Sequence, residues 1–78
     1  MYVIKCTAIG QGAYKDVKPR VNYYGKKDNF FPDLNEEFIS TYVYKGYDSA
    51  RNACWRLRKN PNHEETHFWK WELEVVEV

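Results

Sequence analysis

The run YDSARNACWRLRK, residues 47–59, places Ala50, Ala53, Cys54 and Leu57 at i, i+3, i+4 and i+7, a single apolar stripe of an α-helix. Three of these four side chains are small, so the helix can lie close against something flat. The flat apolar partner this chain can build is a β-sheet. Arg51, Asn52, Arg56, Arg58 and Lys59 occupy the remaining helical faces. Gly46 or Asp48 is expected to cap the start. Asn60-Pro61 ends the helix, because a proline lacks the donor and the residue before it avoids the helical region.

The strands are read around that helix. Residues 2–9 alternate Tyr2, Ile4 and Cys6 with Val3, Lys5 and Thr7, and apolar groups on both faces point to a central strand. Gly10-Gln11-Gly12 breaks it. Residues 20–25 form a second strand, with Val21 and Tyr23 on one face and Asn22 and Tyr24 on the other. A polar turn follows over 25–29. The segment Phe30-Phe31-Pro32 and the acidic stretch after it read either as one helical turn from Asp33 or as a loop pinned by the two phenylalanines. Residues 38–45 are expected to be the third strand, with Ile39, Thr41 and Val43 alternating with Ser40, Tyr42 and Tyr44. In residues 67–78, Trp69, Trp71, Leu73 and Val75 point one way and Lys70, Glu72 and Glu74 the other. The phase changes at 76–78, which predicts a bulge or the strand's end.

The expected architecture is therefore α+β: a single small domain over residues 1–78, with a mostly antiparallel sheet of about four strands (β-β-β-α-β) and one helix packed on one face. A right-handed crossover carries that helix over the sheet. Seventy-eight residues support one marginal core and no deep enclosed pocket. Twelve Lys or Arg against eleven Asp or Glu imply neither an acidic nucleic-acid mimic nor a dedicated duplex binder. Cys6 and Cys54 lack C-x-x-C spacing and read as small core residues in a reducing cytoplasm, with a Cys6–Cys54 disulfide left open. No run is long and apolar enough to span a membrane, and the first ten residues are too short and strand-like for a signal peptide.

Seven Tyr, four Phe and three Trp exceed what so small a core can hide, so some rings are expected at contact surfaces. Tyr23, Tyr24, Tyr42 and Tyr44 lie on two strands expected to be neighbours. The helix adds Arg51, Arg56 and Arg58, and Arg51, Trp55 and Arg58 share one stripe on which a cation–π sandwich can form. These eight residues are the expected partner-binding set; long cationic side chains that merely solvate a helix are the plainer account. Lys18, Arg20, Lys26 and Lys27, with tyrosines close by in sequence, also form the basic and aromatic mixture that binds single-stranded nucleic acid by stacking.

His63-Glu64-Glu65-Thr66-His67 matches H-E-x-x-H, which holds zinc when a helix sets both imidazoles on one face with the Glu as base. Pro61 upstream and a strand beginning near His67 deny it that helix, so no metal, cofactor or catalytic residue is expected. With no glycine-rich phosphate loop and no nucleophile elbow, the chain reads as a binding protein rather than an enzyme.

YVIKC at the start, YKGYDSARNACWRL in the middle and WELEVVEV at the end resemble small phage- and prophage-encoded accessory proteins. These have a YVIK-type first strand, one helix with small residues and an acidic-apolar last strand. The resemblance implies an accessory protein of the host-cell cytoplasm. Some such proteins are anti-defence inhibitors that bind a host nuclease complex, in the manner of anti-CRISPR proteins. VNYYGKK and TYVYKGYDSARNA also resemble the three-strand-plus-helix arm-binding domain of phage integrases, which implies DNA binding. The expected partner is a host protein or complex, with nucleic acid as the alternative. A homodimer through an edge strand is left open.

Overall fold

In the computed structural model the described residues are 1–26, 30, 31 and 41–78. The strands are β1 (Tyr2–Gly10), β2 (Arg20–Tyr24), β3 (Phe30–Phe31) and β4 (Trp69–Glu77), and the helix is α1 (Tyr47–Arg58). β1, β2 and β4 make an antiparallel sheet, and the two-residue β3 pairs beyond β2, giving the order β3-β2-β1-β4. The fold is α+β, with one α-helix on the sheet among the described residues.

β1 is central, as its two apolar faces require: Val3 and Ile4, consecutive and therefore on opposite faces, are both fully buried. Ile4 and Cys6 of β1, Leu73 of β4, and Ala53 and Cys54 of α1 form the core. Leu57, Trp71, Val75, Tyr24 and Tyr44 pack around it. The small stripe thus seats α1 on β1 and β4. Gly46 is the helix's N-cap, without a side-chain bond, and Asp48 sits in the first turn, where a carboxylate opposes the positive end of the helix dipole. Lys59 is the C-cap, so the helix ends one residue before the expected limit. Both thiols are free and share this core.

One expectation about strands needs correction. Of the expected third strand, 38–40 lie outside the described residues, and 41–45 form no strand: Thr41 and Tyr44 make only isolated bridges, to Gly25 and Tyr2 respectively. The Tyr42 N–H donates to the Tyr24 carbonyl at 3.0 Å, and Tyr2 and Tyr44 exchange backbone bonds of 2.8 and 2.7 Å. The segment therefore enters the fork between the end of β2 and the start of β1. It takes one contact from each strand and follows neither far enough for a ladder. The phase change at 76–78, read as a bulge or the strand's end, marks the strand's end: β4 stops at Glu77. Its pairing with β1 runs unbroken from Tyr2↔Glu77 to Gly10↔Trp69, with no bulge. The phase change arises because Val76 lies opposite Val3 on the face away from the helix, so both faces of β4 are apolar at that point. The expected helical turn from Asp33 and most of the 25–29 turn also lie outside the described residues.

The corner joining β1 to β4 is closely fitted. Gln11 N–H donates to the Phe68 carbonyl at 2.8 Å, and Gln11 Nε2 donates to the Thr66 carbonyl at 3.1 Å. The Thr66 hydroxyl accepts from the Phe68 and Trp69 amides. Gly12 adopts φ +56°, a left-handed conformation that favours glycine.

Candidate protein-binding surface

α1 and β4 together make a groove. β4 ends the strand order, so its outer edge has no neighbour among the described residues. A strand's alternate residues aim their backbone groups to opposite sides. Val78 N–H donates to Met1, and Phe68 C=O accepts from Gln11, so the even-numbered residues face β1. Trp69, Trp71, Leu73, Val75 and Glu77 therefore face outward.

Against this edge lies a cleft of about 580 Å³ lined by Tyr47, Arg51, Trp55 and Arg58 from the helix and by Glu74 and Val75 from the strand. A second cleft, of about 490 Å³, continues past Arg58 to His63, Trp71 and Glu72. Tyr47, Arg51, Trp55 and Arg58 recur at i, i+4, i+8 and i+11, which keeps them on one side of the helix. Trp55 is 58% exposed and Tyr47 50%. Lys59 Nζ stands 3.5 Å from the centre of the Trp55 ring.

No protein-family model matches the chain, and no curated protein or solved structure matches it significantly.

The expected cation–π sandwich of Arg51 and Arg58 about Trp55 is replaced by Lys59, four residues along the helix. Arg58 is turned to the strand instead, where its Nε donates to the Leu73 carbonyl at 3.1 Å and Nη2 donates to the same oxygen. Arg51 makes a 3.9 Å contact with Asp48 in which both side chains are largely in water, an arrangement worth little.

The four tyrosines do not form one patch. Tyr23 lies opposite Lys5 on the sheet face away from the helix, whereas Tyr24 and Tyr44 pack against the core on the helix side. Tyr24 meets the exposed Tyr42 edge-on, with ring centroids 5.4 Å apart. Burial raises the Tyr44 hydroxyl above its ordinary pKa, partly offset by the Arg56 guanidinium, and the exposed Arg56 does not line the groove. Of the expected basic set, Lys18, Arg20 and Lys26 are exposed, and Lys27 lies outside the described residues.

His63 and His67 are not on an α-helix. Pro61–His63 is a single 3₁₀ turn, and His63 Nδ1, 2.9 Å from the Leu57 carbonyl, donates to it. Among the described residues no three His, Cys, Asp or Glu side chains converge as a metal site would require.

Sequence reading missed two features. Tyr47 belongs to the Arg51 stripe, and its i,i+4 spacing was available as a signal. Tyr14, Phe68 and Trp69 form an aromatic cluster at the β1–β4 corner, with Tyr14 stacked on Trp69 at 5.6 Å and edge-on to Phe68 at 5.5 Å. Only the fold brings Tyr14 to residues more than fifty positions away.

Proposed function

We propose that this chain is a small non-enzymatic binding protein whose partner is another protein. In this reading it is a phage-type accessory protein that inhibits a host defence complex by occluding a functional surface. The observation that carries the reading is the groove between α1 and the open edge of β4, in which Tyr47 and Trp55 stand exposed beside Arg51 and Arg58. Tyr, Trp and Arg dominate binding hot spots because they combine large contact area with directional donors. Two unpaired buried thiols suit a reducing compartment such as the host cytoplasm. Among the described residues no helix is long and apolar enough to cross a membrane.

Tagged wild-type protein is expected to capture one stoichiometric host partner, with capture insensitive to added oligonucleotide. Trp55→Ala and Arg51→Glu should abolish capture while leaving the melting temperature unchanged. Capture that survives both substitutions would refute the groove as the surface.

Exposed Lys18, Arg20 and Lys26 favour a nucleic-acid module as the second reading, with phosphates as their ligands. Affinity for a single-stranded oligonucleotide that falls steeply with salt, and falls further on Lys18→Ala with Arg20→Ala, would displace the protein-binding reading.

A further inference from the structure

We propose that the outer edge of β4 adds a strand: it takes an extended, acidic segment of the partner protein into the groove under α1. This rests on the reading of the chain as a protein-binding module and specifies how the partner is held.

The backbone supplies the first argument. At Trp69 the edge is closed from within, since Thr66 donates to its carbonyl and accepts from its amide. From Trp71 to Glu77 the outward amides and carbonyls have no strand beside them among the described residues, and the Leu73 carbonyl is held by Arg58. A strand of about seven residues matches that stretch, pairing at every second position.

Charge supplies the second argument and selects the occupant. Two of the three acids of β4 point to the far face, where Lys5 holds Glu74 and Lys70 holds Glu72, each at 3.6 Å, and only Glu77, at the strand's end opposite Tyr2, shares the helix-facing side. On the near face Arg51 and Arg58 flank the cleft: Arg58 spends its donors on the neutral Leu73 carbonyl, and Arg51 has only a long, solvent-exposed contact with Asp48. An incoming strand with carboxylates on its helix-facing side completes both. Arg58 marks the place: its donors occupy the Leu73 acceptor that an added amide needs, and displacement frees the guanidinium for a bidentate carboxylate pair. The same geometry opposes a second copy in the most central register. Antiparallel pairing of two β4 edges about Leu73 sets Glu72 of each copy opposite Glu74 of the other.

The test uses the full chain and three end-blocked synthetic octapeptides: one alternating valine and glutamate, its lysine counterpart, and the glutamate peptide N-methylated at alternate amides on its pairing edge. Binding of the glutamate peptide is expected, weakened about tenfold or more by Arg51→Glu and lost with the lysine and N-methylated forms. Amide exchange in the wild-type protein should slow at Trp71, Leu73 and Val75 on binding, while Glu72 and Glu74, already paired to β1, stay unchanged. Val75→Pro removes an outward amide without breaking the β1 ladder, so it should abolish binding in a protein that still folds. Equal binding of the N-methylated peptide, unchanged exchange at the odd-numbered amides, or no binding of any peptide overturns the inference. So does protection at those amides that rises with protein concentration alone, which would assign the edge to a second copy. Capture of the host partner equally by wild type and Val75→Pro sinks only this mode, whereas no capture by wild type sinks the protein-binding reading beneath it.

Discussion

Gly10 ends the central strand directly beneath the carbonyl of Tyr14: a Cβ placed on Gly10 would lie 2.0 Å from that oxygen. The contact is with backbone, so rotating a side chain cannot relieve it. The 3₁₀ turn of Gly12–Tyr14 would have to move, and the Tyr14–Trp69 stack with it.

Gly10→Ala is accordingly expected to destabilise the fold by about 1–3 kcal/mol through overpacking. Chemical denaturation measures this, and a shift of less than about 0.5 kcal/mol would mean that the corner yields freely. Gly46, with nothing near its Cβ position, is the control and should tolerate alanine far better.

Leu73→Ala removes a buried side chain at the centre of the core and should cost about 2–5 kcal/mol, a large share of the stability of so small a chain. Trp55→Ala removes a larger but mostly exposed ring, and should change stability by about 0.5 kcal/mol or less. If Trp55→Ala proves the more damaging in thermal melts, the indole is structural and the groove loses its anchor.

Stability should fall in alkali. Burial raises the Cys6 thiol above its ordinary value of 9.0, with the neighbouring Cys54 adding to the effect. Cys54 is also raised by burial, partly offset by Arg58, and Tyr44 is raised from 10.0. Each group holds its proton to higher pH in the fold than in the unfolded chain. Its stabilising contribution is therefore complete below the unfolded value and is lost as pH rises through the native one. Urea midpoints measured upward from pH 8 should decline from about pH 9, and less steeply for Cys54→Ala than for wild type. Parallel slopes would show that the thiols are not the titrating groups.

Much of the scaffold is legible in the chain because period and side-chain size determine it. The Ala50–Leu57 stripe can only face a sheet, and apolar residues on both sides of β1 can only be central. Residues 41–45 mislead for a physical reason: β-branched and aromatic alternation records suitability for a pleated surface, while a ladder also needs a neighbour that stays parallel to it. The fork between β1 and β2 allows Thr41 and Tyr44 only single bridges. The Val76 phase change is correctly read as the strand's end, but the bulge offered beside it cannot be told apart in sequence from a second apolar face. The candidate site is legible only in part. Spacing puts Arg51, Trp55 and Arg58 together, but which cation covers Trp55, and that Arg58 reaches the Leu73 carbonyl, depend on where β4 lies.

The pairing of β1 with β4 has a consequence for the order of events in folding. Tyr2 and Glu77 are 75 positions apart and Gly10 and Trp69 are 59 apart, yet they frame the longest ladder in the molecule. Closing loops of that length must precede any return from the contacts, which places the chain among slow folders, on the order of milliseconds to seconds. During synthesis the apolar opening strand emerges long before its mate, and until then it is the segment most in need of shielding from other chains.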